Sequence, residues 1–371
     1  MIRRMLSVVA IGAMLAVPTA TQPPGLASLD RDIQSGIHGY VDHLFVLRAG
    51  QVVFDKKYPR DYRAISRGQS GPLGCGDGCT NTSKLHQFNY LHPDWHPYFQ
   101  GRSVHTLQSV TKSIAATAVG LALAGTKNAL DHPFIEYFAD RDLSKVDPRL
   151  KRATVRDLLT MRSGIEWHET DRPLNETNTT YQLEYSQDWI GFTLSQPMDA
   201  EPGTKWTYNS GGSHLMAGIV RSATGDHIDA YLRKTLFEPI GIKDFHWKKS
   251  PTGYPDSEGG LYLAAGDLAK IGQLYLRDGV WNGRRILPEG WVREATTRHV
   301  KGVAPNWDYG YQWWITSHGG VDVWAGRGFG GQMLVVIPAR DIVAVVNSWN
   351  VFGNKARGVQ GPLLDALLQA Q

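Results

Sequence analysis

The run over residues 109–124 constrains this chain most. It is almost all small or apolar, Gly125 ends it, and its one charged side chain is Lys112. Such a run reads as a helix that is apolar nearly all round and therefore buried. With 371 residues the chain is long enough to enclose it in a sizeable core, usually split into about two domains. Hydrophobic residues at 42% and charged residues at 20% describe a globular protein, neither disordered nor collagen-like.

Two apolar-rich runs at 43–48 and 51–57, joined by Ala49-Gly50, read as a β-hairpin. Residues 60–103 are rich in Gly, Pro, Asn and His, lack periodicity, and read as a long loop region. Helical patterns recur at 155–161, 214–222 and 265–276. Strand patterns follow at 321–325, 332–337 and 342–347, and a helical one at 359–368. Strands at both ends with helices between predict an α+β fold. One antiparallel sheet is built from the two termini and flanked by helices, with a mostly helical region inserted. The expected divisions are a signal peptide over 1–27, the N-terminal part of an α/β domain over 28–105, the helical region over 106–300, and the C-terminal part over 301–371. No internal repeat or low-complexity tract occurs.

The N-terminus reads as an export signal. Residues 1–4 are positively charged, and 5–17 form an apolar run too short to span a membrane, followed by Pro18, Thr19 and Ala20. Gly25-Leu26-Ala27 fits the small-x-small cleavage rule better than a cut after Ala20 does. The expected location is periplasmic or secreted, with membrane contact only through this segment if it stays uncleaved. Without Arg3 and Arg4 the formal net charge falls from +4 to +2. So balanced a chain gives no electrostatic reason to bind nucleic acid, and that partner class is excluded. Nothing in the sequence fixes an oligomeric state.

Export makes the two cysteines readable. Cys75 and Cys79 flank Gly76-Asp77-Gly78, a loop that would admit a small disulfide in an oxidising compartment. Free thiols, or a metal site with His86, His92 and His96, are the rival readings. Pro93 and Pro97 break any helix that could align those histidines, and no His-Glu-x-x-His motif occurs, so no metal is expected.

Three motifs could carry chemistry. Ser109-Val110-Thr111-Lys112 is the one Ser-x-x-Lys in the chain and puts Ser109 and Lys112 on one face of the helix start. Serine attacks a carbonyl only after losing its proton, and a lysine can take that proton if its amine is neutral. With Val110, Ile114, Ala115 and Ala118 around it, Lys112 is expected to be desolvated, which lowers its pKa. The helix N-terminus would favour developing negative charge near Ser109. The bland alternative is an N-cap serine with an incidental lysine.

Tyr208-Asn209-Ser210 is the second motif. It follows the turn Glu201-Pro202-Gly203-Thr204, and a phenol held near an ammonium can shuttle a proton. Taken alone, Tyr208 reads equally as a packed aromatic. The third motif, residues 326–332, matches Gly-x-Gly-x-x-Gly but continues as strand rather than opening a helix, so it is not a dinucleotide site. Glycines there let a substrate approach the strand edge, or simply form a hairpin. One N–H at that edge and the N–H of Ser109 could form an oxyanion hole. No Gly-x-Ser-x-Gly elbow and no Walker loop occurs.

Ser-x-x-Lys, a tyrosine motif about a hundred residues on, and a glycine-rich strand edge near the end occur here in an order that resembles the serine β-lactamase and penicillin-binding superfamily. The chain is more similar to the class C-related branch of esterases, peptidases and 6-aminohexanoate-oligomer hydrolases. Leu158-Leu159-Thr160-Met161-Arg162-Ser163-Gly164, Glu201-Pro202-Gly203, Asp267-Leu268-Ala269-Lys270-Ile271-Gly272 and Tyr309-Gly310-Tyr311-Gln312-Trp313-Trp314 fit that branch. The resemblance spans roughly residues 40–350. It implies a β-lactamase-like fold, Ser109 as the acylated serine, Lys112 as its partner base and Tyr208 as the catalytic tyrosine. Gly328 then falls at the glycine of the Lys-Thr-Gly motif, and Phe329 at the residue whose N–H completes the oxyanion hole.

Two departures bear on substrate. Ser210 stands where the family has a substrate-contacting asparagine. Gly326 stands where it has the lysine that meets the carboxylate of a β-lactam or D-Ala terminus, although Arg327 is adjacent. The expectation is therefore an exported serine hydrolase that cleaves a small ester or amide through an acyl-enzyme on Ser109, with no cofactor. One alternative is a β-lactamase or D-Ala peptidase anchored by Arg327. The other is a non-catalytic penicillin-binding-like sensor, which the retention of Lys112 and Tyr208 argues against. Trp167, Tyr181, Trp189 and Trp206 are candidates for an apolar acyl pocket or for plain core packing.

Overall fold

β1 (Val41–Arg48) and β2 (Gln51–Lys57) form the expected hairpin. Ala49 and Gly50 both take positive φ (49° and 76°), as a two-residue turn between twisted strands requires. The computed structural model describes residues 24–66, 97–351 and 358–369. The charged and apolar parts of the signal segment, Cys75, Cys79, His86, His92 and His96 lie outside the described residues.

The inserted region contributes α2 (Val110–Ala122), α3 (Ser210–Thr224) and α4 (Ala265–Leu276). Six strands follow: β3 (Val300–Ala304), β4 (Trp307–Tyr309), β5 (Trp314–His318), β6 (Val321–Gly328), β7 (Gln332–Ile337) and β8 (Ile342–Ser348). They join the hairpin in one eight-stranded sheet of order β2-β1-β8-β7-β6-β5-β4-β3. All its pairings are antiparallel. The two ends of the chain meet where β1 pairs β8, with Phe45 opposite Val345. The fold is thus the α+β arrangement read from the sequence.

Period-two alternation divides the sheet between two cores. Phe45, Leu47, Leu334, Val336, Val343 and Val345 face the inserted helices. Leu44, Val46, Met333, Val335 and Ala344 face the other way, under α1 (Pro24–Gln34) and α5 (Gln360–Gln369). Because both faces are covered, every residue of β7 and β8 is buried, and both read as continuous apolar runs rather than alternating ones. Leu26 and Leu29 of α1 are buried here, so the small-x-small segment at 25–27 is part of the packed helix. Among the described residues no helix is long and apolar enough to cross a membrane.

α2 lies between the sheet and α3, and each residue from Val110 to Gly120 is buried. Burying one large aliphatic side chain contributes about 1.5–3 kcal/mol, so the apolar helix stabilises the fold from all sides. The 155–161 pattern gives a shorter helix, Val155–Leu159, opened by a Thr154/Asp157 capping box and stopped before Met161, which has positive φ. The 214–222 pattern begins earlier, at Ser210, because Asn209 caps the helix by accepting from Gly212 N at 2.6 Å. Residues 62–66, expected as loop, are helical, and Tyr62 donates its hydroxyl to the buried Asp42 carboxylate, which also holds His105 at 3.0 Å.

Candidate active site

Ser109 is held at a fixed point by its own chain. His105–Thr106 pairs with Leu261–Leu263, and Leu107 N donates to Leu261 O at 2.9 Å. Gln108 then takes φ 47°, a left-handed turn that an L residue adopts only when its surroundings enforce it. Ser109 is the N-cap of α2, yet its hydroxyl makes no capping bond and its oxygen accepts from Lys112 instead. It sits at the positive end of the helix dipole.

Lys112 is one turn further on, 1% exposed, and its Nζ has three acceptors. It donates to Ser109 Oγ at 3.0 Å, to the Glu258 carbonyl at 2.7 Å and to Glu258 Oε2 at 3.3 Å. The ammonium also lies 5.3 Å from the centre of the Tyr208 ring. Burial pushes its pKa down, as the apolar flanks suggested. The fields of Tyr208, Glu258, Glu169 and Asp256 oppose burial and carry it above the ordinary lysine value. The expected lowering is therefore reversed: the sequence around Lys112 is apolar, but the groups that fold against it are acidic.

Tyr208 lies just before α3, where Lys112 and Ser109 both favour its phenolate. Burial raises the phenol pKa while Lys112 pulls it back. Ser210 follows at the first turn of α3. It was expected to contact substrate, but it is completely buried and gives its hydroxyl to Glu169 Oε1 at 2.7 Å. Its backbone N–H goes to Glu169 Oε2 at 2.9 Å, and Trp167 Nε1 reaches the same oxygen at 3.0 Å.

These groups open on a cavity of about 570 Å³, lined among others by Ser109, Tyr208, Trp314, Arg327, Gly328 and Phe329. Gly328 brings the end of β6 against the nucleophile: a Cβ there would fall 2.5 Å from Leu107 O and 3.1 Å from Gln108 Cβ. Phe329 is 48% exposed at the mouth. At Gly326 a Cβ would meet Val110 Cγ1 at 2.9 Å, so the family's lysine has no room there. Arg327, on the opposite face of the strand, lies over the rings of Trp307 and Trp314, 4.9 Å from each centre. Burial lowers its pKa, and it forms no ion pair among the described residues.

No motif in the sequence points to the cavity's acidic wall. Glu169, Glu184, Asp256 and Glu258 line it together with Lys248. Burial, with Glu258 close by, pushes Asp256 up to about 6 and raises Glu184 well above the carboxylate range. Glu258 alone is held low: Lys112 and Ser210 outweigh its burial. These residues are far apart in sequence and in no shared motif. None of Trp167, Tyr181, Trp189 and Trp206 borders the cavity; Trp167 and Trp189 are core residues. Among the described residues no group of three or more His, Cys, Asp or Glu is arranged to hold a metal ion.

The Beta-lactamase family profile matches residues 34–369. The 6-aminohexanoate-dimer hydrolase of Paenarthrobacter ureafaciens is 29% identical over 267 residues, 66% of this chain and 66% of that one. The chain thus spans just under two thirds of that relative's length. Among solved structures, EstCE1, a hydrolase with promiscuous acyltransferase activity, superposes with a TM-score of 0.66 at 15% identity, over 92% of this chain and 98% of that one. A penicillin binding protein from Bacillus halodurans gives 0.62 at 17% identity, over 92% and 98%.

Proposed function

The chain belongs to the beta-lactamase family, a family of serine hydrolases, and from that premise we propose that it is an exported enzyme cleaving a small ester or amide through an acyl-enzyme on Ser109. The observation that carries this reading is the Ser109 hydroxyl, free of any capping role, bonded to Lys112 at 3.0 Å and lining one cavity with Tyr208. Export rests on the charged and apolar N-terminal residues.

Ser109 Oγ attacks the carbonyl carbon as its proton passes to the Tyr208 oxygen. The working form is therefore one in which Tyr208 has lost its proton and the adjacent ammonium stabilises the phenolate. The N–H groups of Ser109 and Phe329 hold the oxyanion, aided by the N-terminus of α2. Tyr208 returns the proton to the leaving oxygen or nitrogen, whose bond to the carbonyl carbon breaks. Water then adds to the acyl-enzyme by the reverse proton path and releases the acid.

A second reading, hydrolysis of a β-lactam or D-Ala peptide, is favoured by Arg327, which lines the cavity without an ion-pair partner among the described residues and could meet a carboxylate. Against it stands the closed space at Gly326. Turnover of p-nitrophenyl esters compared with a chromogenic cephalosporin separates the two. The ester and amide reading expects the esters to be cleaved and the cephalosporin left largely intact; the reverse preference would overturn it.

A further inference from the structure

Two residues after the tyrosine, where the family has a substrate-contacting asparagine, this chain has Ser210, whose hydroxyl is turned toward Glu169 at 2.7 Å. The contact to the lysine comes from elsewhere in the chain. Glu258 lies in the segment leading to Leu261–Leu263. It presents its carbonyl at 2.7 Å and its carboxylate at 3.3 Å to Lys112 Nζ, and Ser109 Oγ completes the set at 3.0 Å. Three acceptors around one nitrogen match the three protons of an ammonium and leave a neutral amine with one lone pair facing an acceptor. The Glu258 backbone is itself fixed, because the Asp256 carboxylate accepts its N–H at 2.9 Å.

Resting on the reading of Ser109 as nucleophile, we propose that Glu258 is a positioning residue for the reaction: its carbonyl and its carboxylate together fix Lys112 in place and in its ammonium form. Lys112 then acts as a permanent cation beside Tyr208 rather than as the base. The groups that face it are Tyr208 from the segment before α3, Glu169 from the loop after Trp167, and Asp256 and Glu258 from the segment before Leu261.

The consequence is a pH profile. A proton must leave the Lys112–Tyr208 pair before Ser109 can be activated, and each nearby carboxylate holds that proton on. Hydrolysis should therefore rise with pH along an acid limb displaced upward by Glu258. Glu258→Gln keeps the backbone carbonyl and an amide oxygen near Lys112 but removes the charge. We expect the acid limb of kcat/KM on a p-nitrophenyl ester to move down by roughly one pH unit. Well below the wild-type midpoint, activity relative to each enzyme's own plateau would rise about tenfold. Glu169→Gln, which has no direct contact with Lys112, should shift the limb the same way by less, and it stands in if Glu258→Gln does not fold.

An unmoved limb, or one displaced upward, in the folded variant would overturn the proposal even if the plateau fell, since a merely structural role changes the plateau alone. The rate of fluorophosphonate labelling at Ser109, followed over the same pH range, keeps this apart from the functional reading. Wild-type labelling that Ser109→Ala abolishes, with no limb shift, removes the role of Glu258 only. Absence of wild-type labelling removes both.

Discussion

Replacing Tyr208 by Phe deletes one oxygen from the site and leaves the ring that stacks near Lys112 and Trp314. If the phenol carries the proton between Ser109 and the leaving group, kcat should fall roughly 10²–10⁴-fold with the melting temperature little changed. Ester turnover read beside a thermal melt checks this; a fall of less than threefold would assign the proton to another group. His214 offers a second single-residue test, of stability rather than rate. It is fully buried, neither ring nitrogen has a hydrogen-bond partner among the described residues, and burial pushes its pKa down to about 4. Below about 6.5 the unfolded chain takes up a proton that the folded chain refuses. His214 thus costs nothing above that pH and progressively destabilises the fold as the pH falls from about 6.5 to about 4. The full effect is roughly 3 kcal/mol. His214→Leu should flatten that part of the stability curve in urea titrations, and an unchanged slope would show that His214 does not carry it.

At the scale of elements, the site is the meeting of two helix starts and one strand end. α2 delivers Ser109 and Lys112, the approach to α3 delivers Tyr208, and β6 delivers Gly328 and Phe329. Gln312 ties these pieces together from behind: its carbonyl accepts from Ser113 at 2.6 Å, its side-chain oxygen from Ser213 at 2.9 Å, and its amide donates to Leu159 O at 3.0 Å. The strand-to-helix approach has no slack at Gly328. In Gly328→Ala the new methyl meets the Leu107 carbonyl, and β6 must move away from the nucleophile. kcat for ester hydrolysis should drop about 10²-fold or more, the scale of a lost oxyanion donor. Gly361→Ala in α5, where a Cβ has open space, should leave it unchanged. Equal activity in the two variants would separate the β6 edge from catalysis.

Across the whole molecule, the parts legible in the sequence are those whose signal is local. Strand alternation, the hairpin turn at Ala49-Gly50, the apolar α2 and the order of the motifs all predicted the α+β sheet from both termini and the neighbourhood of Ser109, Lys112, Tyr208, Gly328 and Arg327. What the sequence did not reveal is set by distant parts of the chain. Glu169, Asp256 and Glu258 reach Lys112 only through the tertiary fold, so the lysine's neighbours in sequence pointed to a lowered pKa while its neighbours in space raise it. Ser210 likewise occupies a substrate-contacting position in the motif but is turned inward by Glu169.

On this mechanism Ser109 carries the acyl group covalently during turnover. Intact-mass spectrometry of the protein quenched in acid during turnover of an excess p-nitrophenyl ester tests it most directly, with peptide mapping of any adduct. The expected result is a mass increase equal to one acyl group, located on the peptide containing Ser109 and absent from Ser109→Ala. An adduct of the same size in Ser109→Ala, or one mapped to a different residue of the wild type, would contradict it.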